Sequence, residues 1–162
     1  MLVQKLKKIV VGENVKKLQQ FALCAGGNLE EVEFAEGITE ISESCFFHQA
    51  KLSKVNIPDS VTKIGEGAFW GTDLSELPEM KNVTEIEEYA FYDNKKITEI
   101  NIPKNVVAVG ASAFSGTTAE KLVVPGGLKS VDADEILGYK NAENLKTVVL
   151  EEGVEEIRSS SF

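Results

Sequence analysis

Leu52 to Phe69 reads LSKVNIPDSVTKIGEGAF, and this pattern returns with edits along nearly the whole chain. The register is clearest at the isoleucine of KIG: Leu18, Ile41, Ile64, Ile86, Val109, Val131 and Ile157 follow at steps of 23, 23, 22, 23, 22 and 26 residues. Five residues after each stand Leu23, Phe46, Phe69, Phe91, Phe114, Ile136 and Phe162. A further apolar column lies three residues before each, from Val15 to Val154, and others lie twelve, nine and seven before, as in Leu52, Val55 and Ile57. Self-similarity at such a period is the mark of a repeat architecture. Each unit opens LxxIxI, whose alternating β-branched residues predict a strand of a few residues. Pro58, Pro103 and Pro125 follow it and remove a backbone donor where the ladder should stop. One unit has too few large apolar side chains to offset the ordering of its own backbone, so neighbours must complete the core. Stacked coil on coil, the strands pair in parallel about 4.7 to 4.9 Å apart. The expected fold is a repeat solenoid of about seven coils of 22–26 residues, a single array over residues 1–162.

The pattern LxxIxIPxxVxxIGxxAF resembles the repeat of the BspA-like leucine-rich-repeat proteins. Coil three matches it nearly position for position, and ITEINIPKNVVAVGASAF at Ile97–Phe114 is almost as close. The resemblance covers Leu6 to Phe162. It implies a right-handed coil stack with a parallel sheet of short strands and irregular or short helical turns on the other side. It further implies a bacterial or protist protein, at the cell surface or secreted, that binds other proteins, often host extracellular-matrix components. The family has no catalytic residues and no cofactor to carry over. One departure is that the family often places Cys eight residues after the register isoleucine, where this chain has Gln49, Thr72, Asn94 and Thr117. Those polar side chains are expected to hydrogen-bond the turn backbone.

A net charge of −9 and a pI near 4.7 argue against nucleic acid or anionic membrane surfaces as partners, since both need basic patches. No apolar run approaches the roughly 18 residues of a spanning helix. The opening MLVQKLKKIVVG has the basic and apolar parts of a signal peptide, but its apolar part is too short and Leu6, Ile9 and Val11 already fill repeat positions. No polar terminal caps are visible, so the chain is expected to be a segment of a longer protein; a short protein that dimerises end to end is the alternative.

Phe47, Trp70 and Tyr92 fall in one slot, directly after the buried phenylalanine, and should stack as an aromatic ladder. They are the candidate protein-binding residues, because Trp and Tyr dominate interface hot spots; the plainer reading makes them the margin of the core. His48 lies beside them as a surface residue. Cys45 takes the small slot held elsewhere by alanine and is expected to be a buried free thiol, with Cys24 unbridged. Asp132, Asp134 and Glu135 lack the spacing of a calcium loop and read as a solvated bulge. Gly110-Ala-Ser112 and Gly126-Gly127-Leu128-Lys129-Ser130 lack the spacing of a nucleophile elbow or a phosphate loop. Asn82-Val83-Thr84 fits a glycosylation acceptor, a tripeptide common by chance. In coil four Pro78 interrupts the strand, with Met80 expected to fill the gap. Outward strand residues Lys8, Glu31, Lys54, Glu76, Glu99, Lys121 and Thr147 should form a charge ladder. The packed interior leaves no small-molecule cavity in this reading. The favoured function is therefore a non-enzymatic protein-interaction or adhesion module, without metal or cofactor. An intracellular scaffold, or an accessory domain of a larger enzyme, stays open as an alternative.

Overall fold

The LxxIxI segments form strands by the alternation that marks them: in EVEF, Val32 and Phe34 turn inward while Glu33 faces solvent. The computed structural model describes residues 5–24, 26–138 and 142–158. Phe162, the first four residues, and Tyr139, Lys140 and Asn141 of the lengthened sixth coil lie outside the described residues. The chain winds into a parallel β-solenoid of about six turns.

Two lines of short parallel strands run along the stack. The first contains β1 (Lys8–Val11), β2 (Glu31–Phe34) and β4 (Lys54–Val55), then, after a break, β7 (Glu99–Asn101), β9 (Lys121–Val124) and β11 (Thr147–Leu150). The second contains β3 (Glu40–Ile41), β5 (Lys63–Ile64), β6 (Glu85–Ile86) and β8 (Ala108–Val109), followed by a separate pair, β10 (Ser130–Val131) with β12 (Glu156–Ile157). Register follows the repeat: Val32 lies opposite Ile9 and Val55, and Ile64 opposite Ile41 and Ile86. The second line is additional to the single sheet read from the sequence.

The break in the first line has a local cause. Glu31 and Ala35 donate N–H groups back to Lys7 O (3.0 Å) and Val11 O (2.8 Å), so in a parallel ladder the intervening Glu33 position also points its N–H at the preceding coil. Coil four has Pro78 at that position and no donor. No strand forms over Leu77–Glu79, and buried Met80 fills the space beneath, as expected from the sequence.

Phe46, Phe69, Phe91 and Phe114 are fully buried and stack along the solenoid axis, with centroids 5.1, 5.1 and 5.5 Å apart. Coil six departs from this column. Asp132 caps a short helix, α1 (Ala133–Leu137), by accepting from Glu135 N at 3.0 Å. The helix buries Ala133, Ile136 and Leu137 and turns Glu135 outward to Arg158, 3.1 Å away. The acidic cluster is thus a helix cap and an ion pair, where the sequence suggested a solvated bulge.

Candidate functional site

After each second-line strand the backbone rounds a corner by two linked tight turns. Ser44, Gly67, Tyr89 and Ser112 take positive φ in the first, and His48, Gly71, Asp93 and Gly116 in the second. Ser44, Gly67, Tyr89, Ser112, His48 and Gly116 are each the third residue of a turn closed by a hydrogen bond from the fourth residue's N–H to the first residue's carbonyl. Alternate N–H groups along this arc donate to the next coil: Ser44 to Glu66 O (2.8 Å), Phe46 to Ala68 O (2.8 Å) and His48 to Trp70 O (2.9 Å). The arc therefore behaves as a third ladder, and it fixes side chains of successive coils above one another.

This arrangement brings Phe47, Trp70 and Tyr92 together as the sequence predicted. Phe47 packs edge-on to Trp70 at 5.4 Å, and Trp70 lies 4.5 Å from Tyr92. All three are half-buried, with one flank in the wall of the solenoid and the other facing solvent. Exposed His48 packs on Phe47 at 4.2 Å. Two further rings join them that the repeat reading did not assign to the site. Phe21 meets Phe47 at 6.3 Å, and Tyr89 lies 5.5 Å from both Trp70 and Tyr92. Both stand three residues after the register position, a column whose other members are Ser44, Gly67, Ser112, Asp134 and Ser160. That mixture hides the pattern; the available signal was that an aromatic at a turn position has no core slot to fill.

Charge borders the rings. The residues before the first corner, Gln20, Glu43, Glu66 and Glu88, are exposed and stacked coil on coil. The Tyr89 hydroxyl is held above the ordinary phenol range, first by its hydrogen bond to the Glu88 carboxylate and also by the charges of Glu88 and Glu66. On the strand face the expected charge ladder is present at its ends: Lys8 meets Glu31 at 3.2 Å and Glu33 at 2.6 Å, and Lys121 meets Glu99 at 3.3 Å.

Beneath the rings lie the polar substitutes for the family cysteine, all buried. Asn94 Nδ2 donates to Phe69 O (2.8 Å) and Phe91 O (2.9 Å), and its Oδ1 accepts from Thr72 Oγ1. Gln49 Nε2 donates to Leu23 O at 2.9 Å. Cys45 is buried in the alanine slot, as expected, and burial pushes its thiol up to about 12. Cys24 is half-buried, and both cysteines are free.

The interior is packed, but the broken strand line opens a surface groove of about 840 Å³ between coils four and five, bordered by Glu76, Pro78, Glu99, Asn101 and Lys104. This concavity lies on the surface, outside the packed interior that the sequence reading described. Among the described residues no group of three His, Cys, Asp or Glu is placed to hold a metal ion, and no helix is long and apolar enough to cross a membrane. Asn82 of the glycosylation tripeptide is exposed, with its amide donating to Asp59 O at 2.8 Å.

A family model described as BspA type leucine rich repeat region, present in six copies, matches residues 2–97 and 73–162. No curated protein matches the chain significantly. Among solved structures, the leucine rich repeat protein TpLRR of T. pallidum is similar with a TM-score of 0.79 at 18% identity, over 94% of this chain and 73% of that one. A leucine-rich repeat protein from Eubacterium ventriosum is similar with a TM-score of 0.71 at 24% identity, over 91% of this chain and 40% of its own. The pneumococcal vaccine antigen PcpA is similar with a TM-score of 0.62 at 19% identity, over 97% of this chain and 48% of its own. At these identities the likeness is one of fold.

Proposed function

The chain belongs to the BspA type leucine-rich-repeat family, and from that premise we propose that it is a protein-binding module that engages its partner through the flank bearing Phe47, Trp70 and Tyr92. The observation that carries this reading is the continuous ring column, held half-exposed on a backbone that the inter-coil ladder keeps rigid. Amphipathic rings fixed in place lose little conformational freedom on docking, which is why they anchor interfaces. In this reading the module sits on a bacterial cell-surface or secreted protein and adheres to a host or extracellular-matrix protein. Support comes from the family resemblance and from the likeness in fold to a pneumococcal vaccine antigen. We also read the single array as a section of a longer protein, since it spans under half of two of the solved relatives. The module performs no catalytic step of its own.

The test is a panel of immobilised matrix proteins, collagen, laminin, fibronectin and fibrinogen, probed with the wild-type chain and with the Trp70→Ala/Tyr92→Ala double variant after circular dichroism has shown the fold intact. Saturable binding to one of them that weakens about ten-fold or more in the double variant supports the reading, since central aromatic anchors carry about 2 kcal/mol or more each. Undiminished affinity in a folded double variant removes this flank.

A further inference from the structure

The ion pairs that link successive coils share a pattern. Acid and base face each other on neighbouring coils at Lys7–Glu30, Lys8–Glu31, Asp59–Lys81, Asp73–Lys96, Glu99–Lys121 and Glu120–Lys146. The column beside the aromatic flank breaks that rule. Phe21 N donates to Glu43 O (3.3 Å), Ser44 N to Glu66 O (2.8 Å) and Gly67 N to Glu88 O (3.0 Å), so Glu43, Glu66 and Glu88 are locked on adjacent rungs with like charge over like. Like charges directly opposite on neighbouring strands repel and destabilise the pair. Glu43 is met only by the neutral amide of Gln20, and none of the three makes an ion pair among the described residues. A cation from outside would meet three carboxylates that no ion pair already occupies.

We propose that this flank binds an arginine-bearing segment of a partner protein, whose guanidinium groups stack on Trp70, Tyr89 and Tyr92 while donating to the carboxylates of Glu66, Glu88 and Glu43. The proposal rests on the protein-binding reading of the flank and adds the chemistry of the ligand. Rings and carboxylates form one surface: Tyr89 directly follows exposed Glu88 in the chain, and its ring lies 5.5 Å from those of Trp70 and Tyr92. A planar cation suits both halves at once, since guanidinium stacks on aromatic faces and pairs with carboxylate by two parallel hydrogen bonds. Lysine offers only a point charge, and an acidic segment is repelled.

Trp70 is the sole tryptophan, so its fluorescence reports the site directly. The intact chain is titrated with an alternating Arg-Gly octapeptide amide, with its Lys-Gly and Glu-Gly counterparts, and with a neutral cello-oligosaccharide. Saturable change with the arginine peptide is expected, several-fold tighter than with lysine, weakening as salt rises and absent with glutamate. Glu66→Gln/Glu88→Gln is expected to lower arginine-peptide affinity by about ten-fold while raising the thermal midpoint of the free protein, because the rung repulsion is gone. No response to the arginine peptide, an equal response to the glutamate peptide or to the sugar, or unchanged affinity in the glutamine variant overturns the proposal. A matrix protein whose binding is lost in Trp70→Ala/Tyr92→Ala but retained in Glu66→Gln/Glu88→Gln leaves the aromatic surface standing and removes only the cation. Loss of neither removes both.

Discussion

Asn94 does for this fold what a small apolar residue in its place could not. The corner of each coil leaves carbonyls pointing inward, and its amide meets those of Phe69 and Phe91 at 2.8 and 2.9 Å in a fully buried setting. A buried acceptor that loses its donor costs about 1 to 3 kcal/mol. Asn94→Ala is therefore expected to lower the unfolding free energy by about 2 to 4 kcal/mol in urea denaturation, with two carbonyls stranded and Thr72 left without its partner. A change below about 0.5 kcal/mol would mean that water replaces the amide. Cys45 gives a second residue-scale expectation. Its thiol is raised from 9.0 to about 12 by burial, so the fold favours the protonated form. That contribution is complete below pH 9.0 and is lost as the pH climbs toward 12. Because the thiolate is the nucleophile, native alkylation near neutral pH should label Cys24 and spare Cys45, and mass spectrometry after denaturation without reductant should find both labelled. Native labelling of Cys45 at the rate of Cys24 would place it at the surface.

The elements show which parts of the architecture sequence can reveal. Phenylalanine recurs five residues after the register position because that slot must fill the axis of the solenoid, and its spacing exposed the core, the coil length and the first strand line together. Asn56 illustrates a subtler device: its side-chain amide accepts from Phe34 N and donates to Phe34 O, replacing the ladder where β4 stops short. The second strand line was illegible because its strands are two residues long, and two residues carry no alternation. Tyr89 was missed because its turn position is defined by φ and not by hydrophobicity, so the column holds Phe, Ser, Gly, Tyr and Asp with no shared chemistry. The phenylalanine stack invites a direct test. Phe91 lies between Phe69 and Phe114 with near-parallel rings, 6° and 4° from its neighbours, and is fully buried. Phe91→Ala should cost about 3 to 5 kcal/mol and Phe91→Leu distinctly less, measured by chemical denaturation. Equal costs for the two would show that ring stacking, and not filled volume, holds the column.

At the scale of the whole molecule the two strand lines break at different coils, and this stagger keeps the array in one piece. The first line is interrupted at coil four, where the second runs unbroken from β5 through β6 to β8; the second is interrupted after β8, where the first continues from β7 through β9 to β11. A solenoid is stabilised by nearest-neighbour interfaces, so two breaks at one coil would leave a joint on which the halves could part, whereas offset breaks leave every coil tied on at least one side. The stagger also predicts where the native state opens first. Glu99 and Asn101 form a sheet edge against the coil-four groove, with β7 paired only to β9. Their amides and that of Leu77 should exchange with solvent faster than those of Ile86 and Phe91 in the same part of the stack, because exposed backbone at a sheet edge opens locally. Coils three and five carry Asn56 and Asn101 where coil four carries Pro78, so Pro78→Asn restores the missing donor in the residue type the repeat already uses. The variant is expected to slow hydrogen exchange at Leu77, Glu99 and Asn101 about ten-fold or more as the ladder closes, and to leave Ile86 and Phe91 unchanged. If Glu99 and Asn101 exchange at the same rate in both proteins, the break is set by the side chains of coil four and not by the proline's missing hydrogen.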